Sequence, residues 1–337
     1  MPSTGSLEHL MSNINITRRR LLQSAAAATA IGLTGRSYAA DDKLLIGYWP
    51  IAAGLPFYAA LDLGMFKAAG VTVEGVKFGS PNQVAEALIA GRIDGCANGT
   101  AITVLGLAEA QSPGLLKFVC LNFADEKYVL DQIIVPINSN VKTVKELAGK
   151  KVACGPGINN VTLAKIMLEH AGAVGAQVVE LPIGQIVPAL AAGQVDGAYI
   201  LEPTGVIGRQ LGISRSLGAG VVSRYVLDDP NTPWVGGAAA LTATAFKDKA
   251  ALVPGFLKGY AAGVDYVRKQ GLQANVHLKG YTAIDGPVAM EVPISGYITY
   301  DQVKPSDVQS IQKLFDVFTE HKVFDRKIVA APMLYKA

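Results

Sequence analysis

Cysteine and histidine are scarce in this chain of 337 residues, which has three cysteines and four histidines. Cys96, Cys120 and Cys154 lie in or beside apolar runs. The sequence therefore predicts three small buried side chains in separate strands rather than a disulfide set. The odd count, the absence of a Cys-x-x-Cys spacing and the scattered histidines argue against a metal site. We expect neither a metal nor a cofactor.

Charged residues are also few, at 17% of the chain, and the two signs nearly balance. The first 39 residues hold four arginines and one glutamate, so the remainder carries 26 basic and 26 acidic side chains. This remainder, without net positive charge, shows no sign of binding a nucleic acid or an acidic membrane. We expect neither as a partner.

Long apolar runs are missing too. The longest, residues 21–33, has about 13 residues, whereas a membrane-spanning helix needs about 20. It follows the basic run Thr17–Gln23 and precedes the small residues Ser37–Ala39. This order predicts a secretory signal peptide at residues 1–39, of the twin-arginine type, and a soluble periplasmic product.

A near repeat dominates the remaining chain. Residues 189–203 follow the same order as residues 87–100, displaced by 102 residues: a helix end, a glycine stop, a short apolar strand and a polar turn. Gly91 and Gly193 occupy the left-handed position that favours glycine at a helix end. The repeat predicts two similar α/β lobes, although coincidence between common α/β patterns remains an alternative.

The order of elements predicts an α/β fold of two lobes with a ligand cleft between them. Lobe one comprises residues 40–130 plus 235–337, and lobe two comprises residues 131–234. Two strands, near 129–135 and 235–241, carry the chain between the lobes. Residues 205–232 are predicted to be irregular because they are rich in glycine. Strand ends and helix N-termini meet at such a cleft, where ligands bind.

The motifs in this order resemble periplasmic substrate-binding proteins of ABC transporters, in the branch for sulfonates, taurine, nitrate and thiamine-precursor pyrimidines. The similarity lies in residues 46–50, 56–60, 64–66, 147–153 and 193–203. It implies a type II binding protein that closes on one small organic molecule and presents it to an inner-membrane permease. It implies a monomer without enzymatic activity.

Two other functions remain open at this stage. The closed protein could signal to a chemoreceptor or sensor kinase instead of a permease. The same fold also includes enzymes of thiamine and menaquinone biosynthesis, but this chain lacks the cysteine cluster that the pyrimidine synthases carry. One departure from the resemblance concerns the ligand. The turn Gly157–Asn160 has asparagines where anion-binding members have hydroxyls, which argues against a sulfonate or nitrate.

In lobe one, the candidate ligand-binding residues lie where strands end. Trp49 either stacks on the ligand or packs against its own neighbours. Ser80 and Gln83 either donate to the ligand or cap their helix. Asn98 and Thr100 end the first copy of the repeat.

Lobe two and its boundary supply the other candidates. Asp131, inside an apolar strand, needs either a basic partner or N–H groups of a ligand. Glu202 ends the second copy of the repeat. If both carboxylates face the cleft, the ligand carries N–H donors or positive charge. The remaining candidates are Asn159, Asn160, Gln185, Tyr199 and Trp234.

Overall fold

A computed structural model describes residues 43–125 and 128–336. The predicted signal peptide, residues 1–39, lies outside the described residues. Within them, none of the helices is both long and apolar enough to cross a membrane.

Short strands and helices alternate along most of the described chain. The strands are β1 (Lys43–Tyr48), β2 (Thr72–Lys77), β3 (Gly95–Cys96), β4 (Leu116–Ala124), β5 (Asp131–Pro136), β6 (Lys151–Cys154), β7 (Gln177–Glu180), β8 (Gly197–Leu201), β9 (Ser214–Ala219), β10 (Trp234–Thr242) and β11 (Gly296–Thr299). The α-helices are α1 (Leu55–Asp62), α2 (Met65–Ala68), α3 (Pro81–Ile89), α4 (Ile102–Gln111), α5 (Ile158–His170), α6 (Ile183–Ala191), α7 (Thr204–Gln210), α8 (Val221–Tyr225), α9 (Ala243–Asp248), α10 (Val253–Gln270) and α11 (Pro305–Glu320). The 3₁₀ segments are Ala52–Gly54, Val144–Leu147, Gly271–Leu278, Gly286–Glu291, Tyr300–Gln302 and Ala331–Met333.

The strands form two mixed sheets. The first sheet has the order β11-β4-β10-β3-β1-β2, and the second has the order β7-β6-β8-β5-β9. In each sheet the second strand from one edge, β1 or β6, lies between two parallel neighbours. Antiparallel strands then extend each sheet through β10 and β5. We call each sheet with its packed helices a lobe.

The chain passes between the two sheets twice, after β4 and before β10. β5 pairs only within the second sheet, and β10 pairs only within the first. The connecting segments between strands therefore join the lobes at two places. The residue boundaries proposed for the lobes remain a prediction.

The two copies of the repeat fold alike. Gly91 and Gly193 each have φ of 65° and end a helix. In each copy an aspartate then accepts a hydrogen bond from a backbone N–H of β1 or β6. Asp94 Oδ2 accepts from Leu45 of β1 at 2.8 Å, and Asp196 Oδ2 accepts from Lys151 of β6 at 2.9 Å. The same side-chain bond in both places confirms that the repeat marks two equivalent strand–helix units.

One prediction about this fold is wrong. Residues 205–232, expected to be irregular, contain most of α7, all of β9 and all of α8. These elements have only five to seven residues each, and Gly212 and Gly220, both at positive φ, separate them. Elements this short show no clear periodicity in a sequence, so frequent glycines look like a loop.

The three cysteines lie buried in β3, β4 and β6, as predicted, and each is a free thiol. Burial raises the pKa of all three thiols to about 12, which keeps them protonated at neutral pH. They therefore pack as small apolar side chains.

Candidate functional site

A small cavity lies between the two lobes. The first lobe contributes the segment 49–51, which follows β1, and the second contributes the ends of β6 and β8 and the starts of α6 and α7. The centre of a water-sized sphere can occupy about 20 Å³ of this cavity, which is room for roughly one water molecule. The lobes are therefore closed on each other. The lining residues are Trp49, Pro50, Ile51, Gly155, Asn160, Ile183, Ile186, Tyr199, Ile200, Leu201, Glu202, Pro203 and Thr204.

Several polar contacts join the lobes, and three of them have donor–acceptor distances of 2.5–3.1 Å. The Ala52 N–H donates to the Glu202 carbonyl oxygen at 3.1 Å. The Thr103 hydroxyl of α4 donates to Asn159 Oδ1 of α5 at 2.5 Å. At the surface, Arg209 Nη2 of α7 lies 3.0 Å from Glu291 Oε2 of the first lobe. Each contact needs the lobes together, so opening the cleft breaks all three.

Gly157 of the second lobe lies against the side chain of Asn82 of the first lobe. A Cβ added to this glycine would lie 2.3 Å from Oδ1 of Asn82, which is on α3 of the first lobe. Gly157 also has φ of 102°, a conformation that side chains disfavour. A side chain here would strain the backbone and would have to displace the Asn82 side chain while the lobes are closed.

Trp49 forms a wall of the cavity and is 2% exposed. Its indole N–H donates to the Gly99 carbonyl oxygen at 2.6 Å, so the ring is fixed and its polar atom is already satisfied. The side chain can offer a ligand its aromatic face but not a free donor.

Asn98 holds the loop behind Trp49. Its Nδ2 donates to the Cys120 carbonyl at 3.0 Å, and its Oδ1 accepts from the Tyr260 hydroxyl at 2.8 Å. Its neighbour Thr100 is equally buried and donates to the Ala97 carbonyl at 3.0 Å. The polar atoms of both side chains bond within the scaffold, which assigns them a supporting role beside the cavity.

Three other candidates lie outside the cavity lining. Ser80 Oγ accepts from the Gln83 N–H at 3.3 Å and caps α3. Gln83 is exposed, and its Oε1 accepts from the Gly79 N–H at 2.9 Å. Gln185 is exposed on α6. In this closed form each of these residues makes its hydrogen bonds with residues a few positions away in the chain. A direct role in ligand binding remains a prediction.

Glu202 lies at the cavity with 1% of its surface exposed. Oε2 accepts from the Val206 N–H at 3.1 Å, and Oε1 accepts from Gln132 Nε2. Burial raises the pKa of this carboxyl above its ordinary value, and these bonds and the Arg209 charge only partly oppose that rise. Glu202 is the one carboxylate of the cavity lining.

Tyr199, Asn160 and Trp234 are all buried but differ in their bonding. Tyr199 lines the cavity, and its hydroxyl has no hydrogen-bond partner among the described residues. Asn160 also lines it, and its Nδ2 donates to the Pro156 carbonyl at 2.8 Å. Trp234 begins β10 outside the lining, and its indole N–H lacks a partner within the described chain. Buried donors usually find an acceptor, so these two are exceptions within the described residues.

The Asp131 carboxylate bonds to the backbone of its own lobe, and a ligand contact for it remains a prediction. Its Oδ2 accepts the Val222 N–H at 2.8 Å, at the start of α8. No basic side chain forms an ion pair with it in the described part of the chain. Burial raises its pKa from 3.8 to about 6. Its observed role is to hold α8 against β5.

We expect Asp131 to make the protein more stable at pH 5 than at pH 7. The folded state binds the proton more tightly than the unfolded state, so this contribution exists at low pH and is lost as the pH rises through about 6. Its size between these two pH values is about 1 kcal/mol. Urea unfolding at both pH values measures it. Asp131→Asn should remove this part of the dependence; an unchanged dependence would contradict it.

No group of three or more histidine, cysteine, aspartate or glutamate side chains within residues 43–125 and 128–336 could hold a metal ion. The arrangement is a closed, mainly apolar pocket with one carboxylate, one unpartnered hydroxyl and a fixed indole face. As it stands it has room for about one water molecule, so a small organic molecule would enter only with the lobes further apart, where these few polar contacts could orient it.

A comparison with family models places the chain among known proteins. The model "NMT1/THI5 like" matches residues 53–274, which is more than half of the chain. The chain belongs to the NMT1/THI5-like family. No curated protein matches this member of the family in sequence.

Solved structures show the fold of this NMT1/THI5-like chain. The periplasmic aliphatic sulphonate binding protein SsuA from Escherichia coli is 22% identical, with a TM-score of 0.66 over 88% of this chain and 92% of that one. The alkanesulfonate-binding protein SsuA from Xanthomonas axonopodis pv. citri, bound to MOPS, is 19% identical, with a TM-score of 0.69 over 88% and 99%. The nitrate-binding protein NrtA from Synechocystis PCC 6803 is 13% identical, with a TM-score of 0.56 over 70% and 65%. The fold is that of two-lobed periplasmic binding proteins, as predicted.

Sequence reasoning missed most of the apolar lining and the contacts that close the lobes. Ile51 lies three residues after β1 ends, and Ile183 and Ile186 lie about one helical turn apart at the start of α6, which are usable signals. No sequence pattern marks Thr103 or Gly157, because each residue matters only through its contact with the other lobe of the same chain.

Proposed function

We propose that this protein is the exported substrate-binding component of an ABC importer. It encloses a small organic molecule between its lobes and presents it, as a monomer, to a permease in the inner membrane. The predicted signal peptide would direct it to the periplasm through the twin-arginine route. Binding shifts the balance between open and closed forms because the ligand contacts both lobes at once.

The cavity between the lobes is the observation that carries this proposal. Its walls come from both sheets, and the Ala52–Glu202 bond at 3.1 Å closes it directly. The NMT1/THI5-like family and the fold support the same function, since the structures named above are binding proteins. No nucleophile with an adjacent base lines the cavity.

Trp49 provides a test of capture. The whole chain has two tryptophans, and of these only Trp49 lines the cavity. We expect a ligand to change the indole fluorescence and, at 100 times its dissociation constant, to add about 2.7 kcal/mol to the free energy of unfolding. The melting temperature should rise by several degrees.

Fluorescence titration and thermal unfolding of the purified protein measure both effects. Trp49→Phe should abolish most of the fluorescence change, whereas Trp234→Phe should keep it. A fluorescence change that survives in Trp49→Phe and disappears in Trp234→Phe would contradict binding at this cavity.

A further inference from the structure

One segment of the first lobe, residues 271–292, reaches the second lobe near its end. We call this segment the strap. Its two 3₁₀ turns pack against each other, and the first of them packs on α1 and α10. Asp62 of α1 accepts from the Tyr281 hydroxyl at 2.8 Å, and its other carboxylate oxygen lies 2.8 Å from His277 Nδ1. The strap is therefore fixed to the first lobe.

Asn275 orders the part of the strap that carries Glu291. Its Nδ2 donates to the Ala289 carbonyl at 2.9 Å and to the Val292 carbonyl at 2.7 Å. Asn275 is 1% exposed, and these two acceptors flank Glu291 along the chain. Because the backbone of Glu291 is already ordered, a contact made by its side chain costs little additional backbone entropy.

Glu291 makes the contact with the second lobe. Its Oε2 accepts from Arg209 Nη2 at 3.0 Å, and its Oε1 accepts from Gln210 Nε2. The bonds from Arg209 and Gln210 lower the pKa of the Glu291 carboxyl, which keeps it ionised at neutral pH. Each carboxylate oxygen thus receives one donor from the end of α7, and the bond from Arg209 joins opposite charges.

Helix α7 connects this contact with the cavity. Thr204 at its start lines the cavity together with Glu202, whereas Arg209 and Gln210 form its end. The Val206 N–H of the same helix donates to Glu202 Oε2 at 3.1 Å. A helix of seven residues moves as one piece, so separating α7 from the strap also moves this wall of the cavity.

We propose that Glu291, Arg209 and Gln210 form a latch that keeps the cavity closed to solutes larger than water, and that salt weakens this latch. The closed cavity has room for roughly one water molecule, so a larger solute reaches it only after the lobes separate. The Arg209 and Glu291 side chains are 52% and 44% exposed, so dissolved ions screen their attraction. Exposed pairs of this kind change an equilibrium by up to about fivefold. The inference goes beyond capture, because access to the cavity is defined without a ligand.

Acrylamide quenching of Trp49 tests the latch without a ligand. Trp49 lines the cavity, and acrylamide is larger than water, so quenching requires separated lobes. Trp234→Phe in the full protein leaves Trp49 as its one tryptophan. We expect Glu291→Gln to raise the quenching constant about threefold at about 20 mM salt. At about 500 mM salt the parent should approach this variant, while the variant changes little. Acrylamide is uncharged, so salt acts on the protein rather than on the quencher.

Glu74→Gln is the control for the loss of an exposed ion pair. Glu74 Oε2 lies 2.8 Å from Lys43 Nζ, and both residues belong to the first sheet, in β2 and β1. This pair stays intact when the lobes separate, so its loss should leave the quenching constant unchanged. The same comparisons in the chain with both tryptophans guard against a folding defect of Trp234→Phe, since Trp234 is buried outside the cavity lining.

Four results would overturn the latch. They are equal quenching in the parent and in Glu291→Gln, an equal rise in Glu74→Gln, a salt response of Glu291→Gln as large as that of the parent, and a parent in which Trp49 is as accessible as free tryptophan. Any of them would leave the proposed capture function standing, because that function is tested by ligand binding.

Discussion

Replacing Gly157 with valine should weaken ligand binding about 10-fold. In the closed protein a Cβ at this position would lie 2.3 Å from Asn82 Oδ1, the end of a side chain on the other lobe that must turn aside. The clash is absent once the lobes separate, so it penalises the closed form alone. A penalty near 1.4 kcal/mol corresponds to 10-fold in affinity. Calorimetric titration with a molecule that raises the melting temperature measures the loss.

Backbone strain at Gly157 must be separated from this clash. A side chain at φ of 102° costs about 1–3 kcal/mol in either form of the protein, which lowers stability more than affinity. Asn82→Ala removes the facing atom and should restore much of the affinity in the double variant. Gly184→Val is the matched control, since a Cβ there meets no atom within 4 Å. If Asn82→Ala restores nothing, the contact between lobes does not govern closure.

Asn98→Ala should lower the free energy of unfolding by about 3–4 kcal/mol. The change removes the donor to the Cys120 carbonyl and the acceptor of the Tyr260 hydroxyl, and it leaves both groups buried without those partners. Loss of a buried hydrogen-bond network is among the few mechanisms that reach this size. Urea denaturation measures the effect.

The exposed Asn231→Ala is the control and should change stability by less than about 0.5 kcal/mol. Asn98 was also a candidate ligand contact, so affinity measurements on the same variant are informative. A large loss of affinity with unchanged stability would reverse the assignment and place Asn98 at the ligand.

The fold could be predicted from the sequence because its signals are local. The repeated glycine stop and strand at residues 87–100 and 189–203 need only neighbours along the chain, and Gly91 and Gly193 have the expected positive φ. Buried parallel strands are recognisable as short apolar runs. The segment 205–232 was missed because α7, β9 and α8 have only five to seven residues each, too few to show a clear helical or strand period.

The candidate site is harder to predict from the sequence, because its geometry depends on which strand ends the two lobes bring together. Trp49, Asn160, Tyr199 and Glu202 line the cavity. Asn98 also follows a strand, so the sequence makes it as good a candidate as these four. Its side chain instead bonds to Cys120 and Tyr260 of its own lobe. Sequence position alone cannot tell a side chain that faces a cleft from one that braces it.

The two chain passes between the sheets make closure an intramolecular event. A ligand resting on one lobe meets the other at the high effective concentration that a short covalent tether provides, in the millimolar range for flexible links. Single hydrogen bonds such as Thr103 to Asn159, too weak to hold separate proteins together, can then secure the closed form. How long a molecule stays enclosed is therefore governed by the rate at which the two halves swing apart.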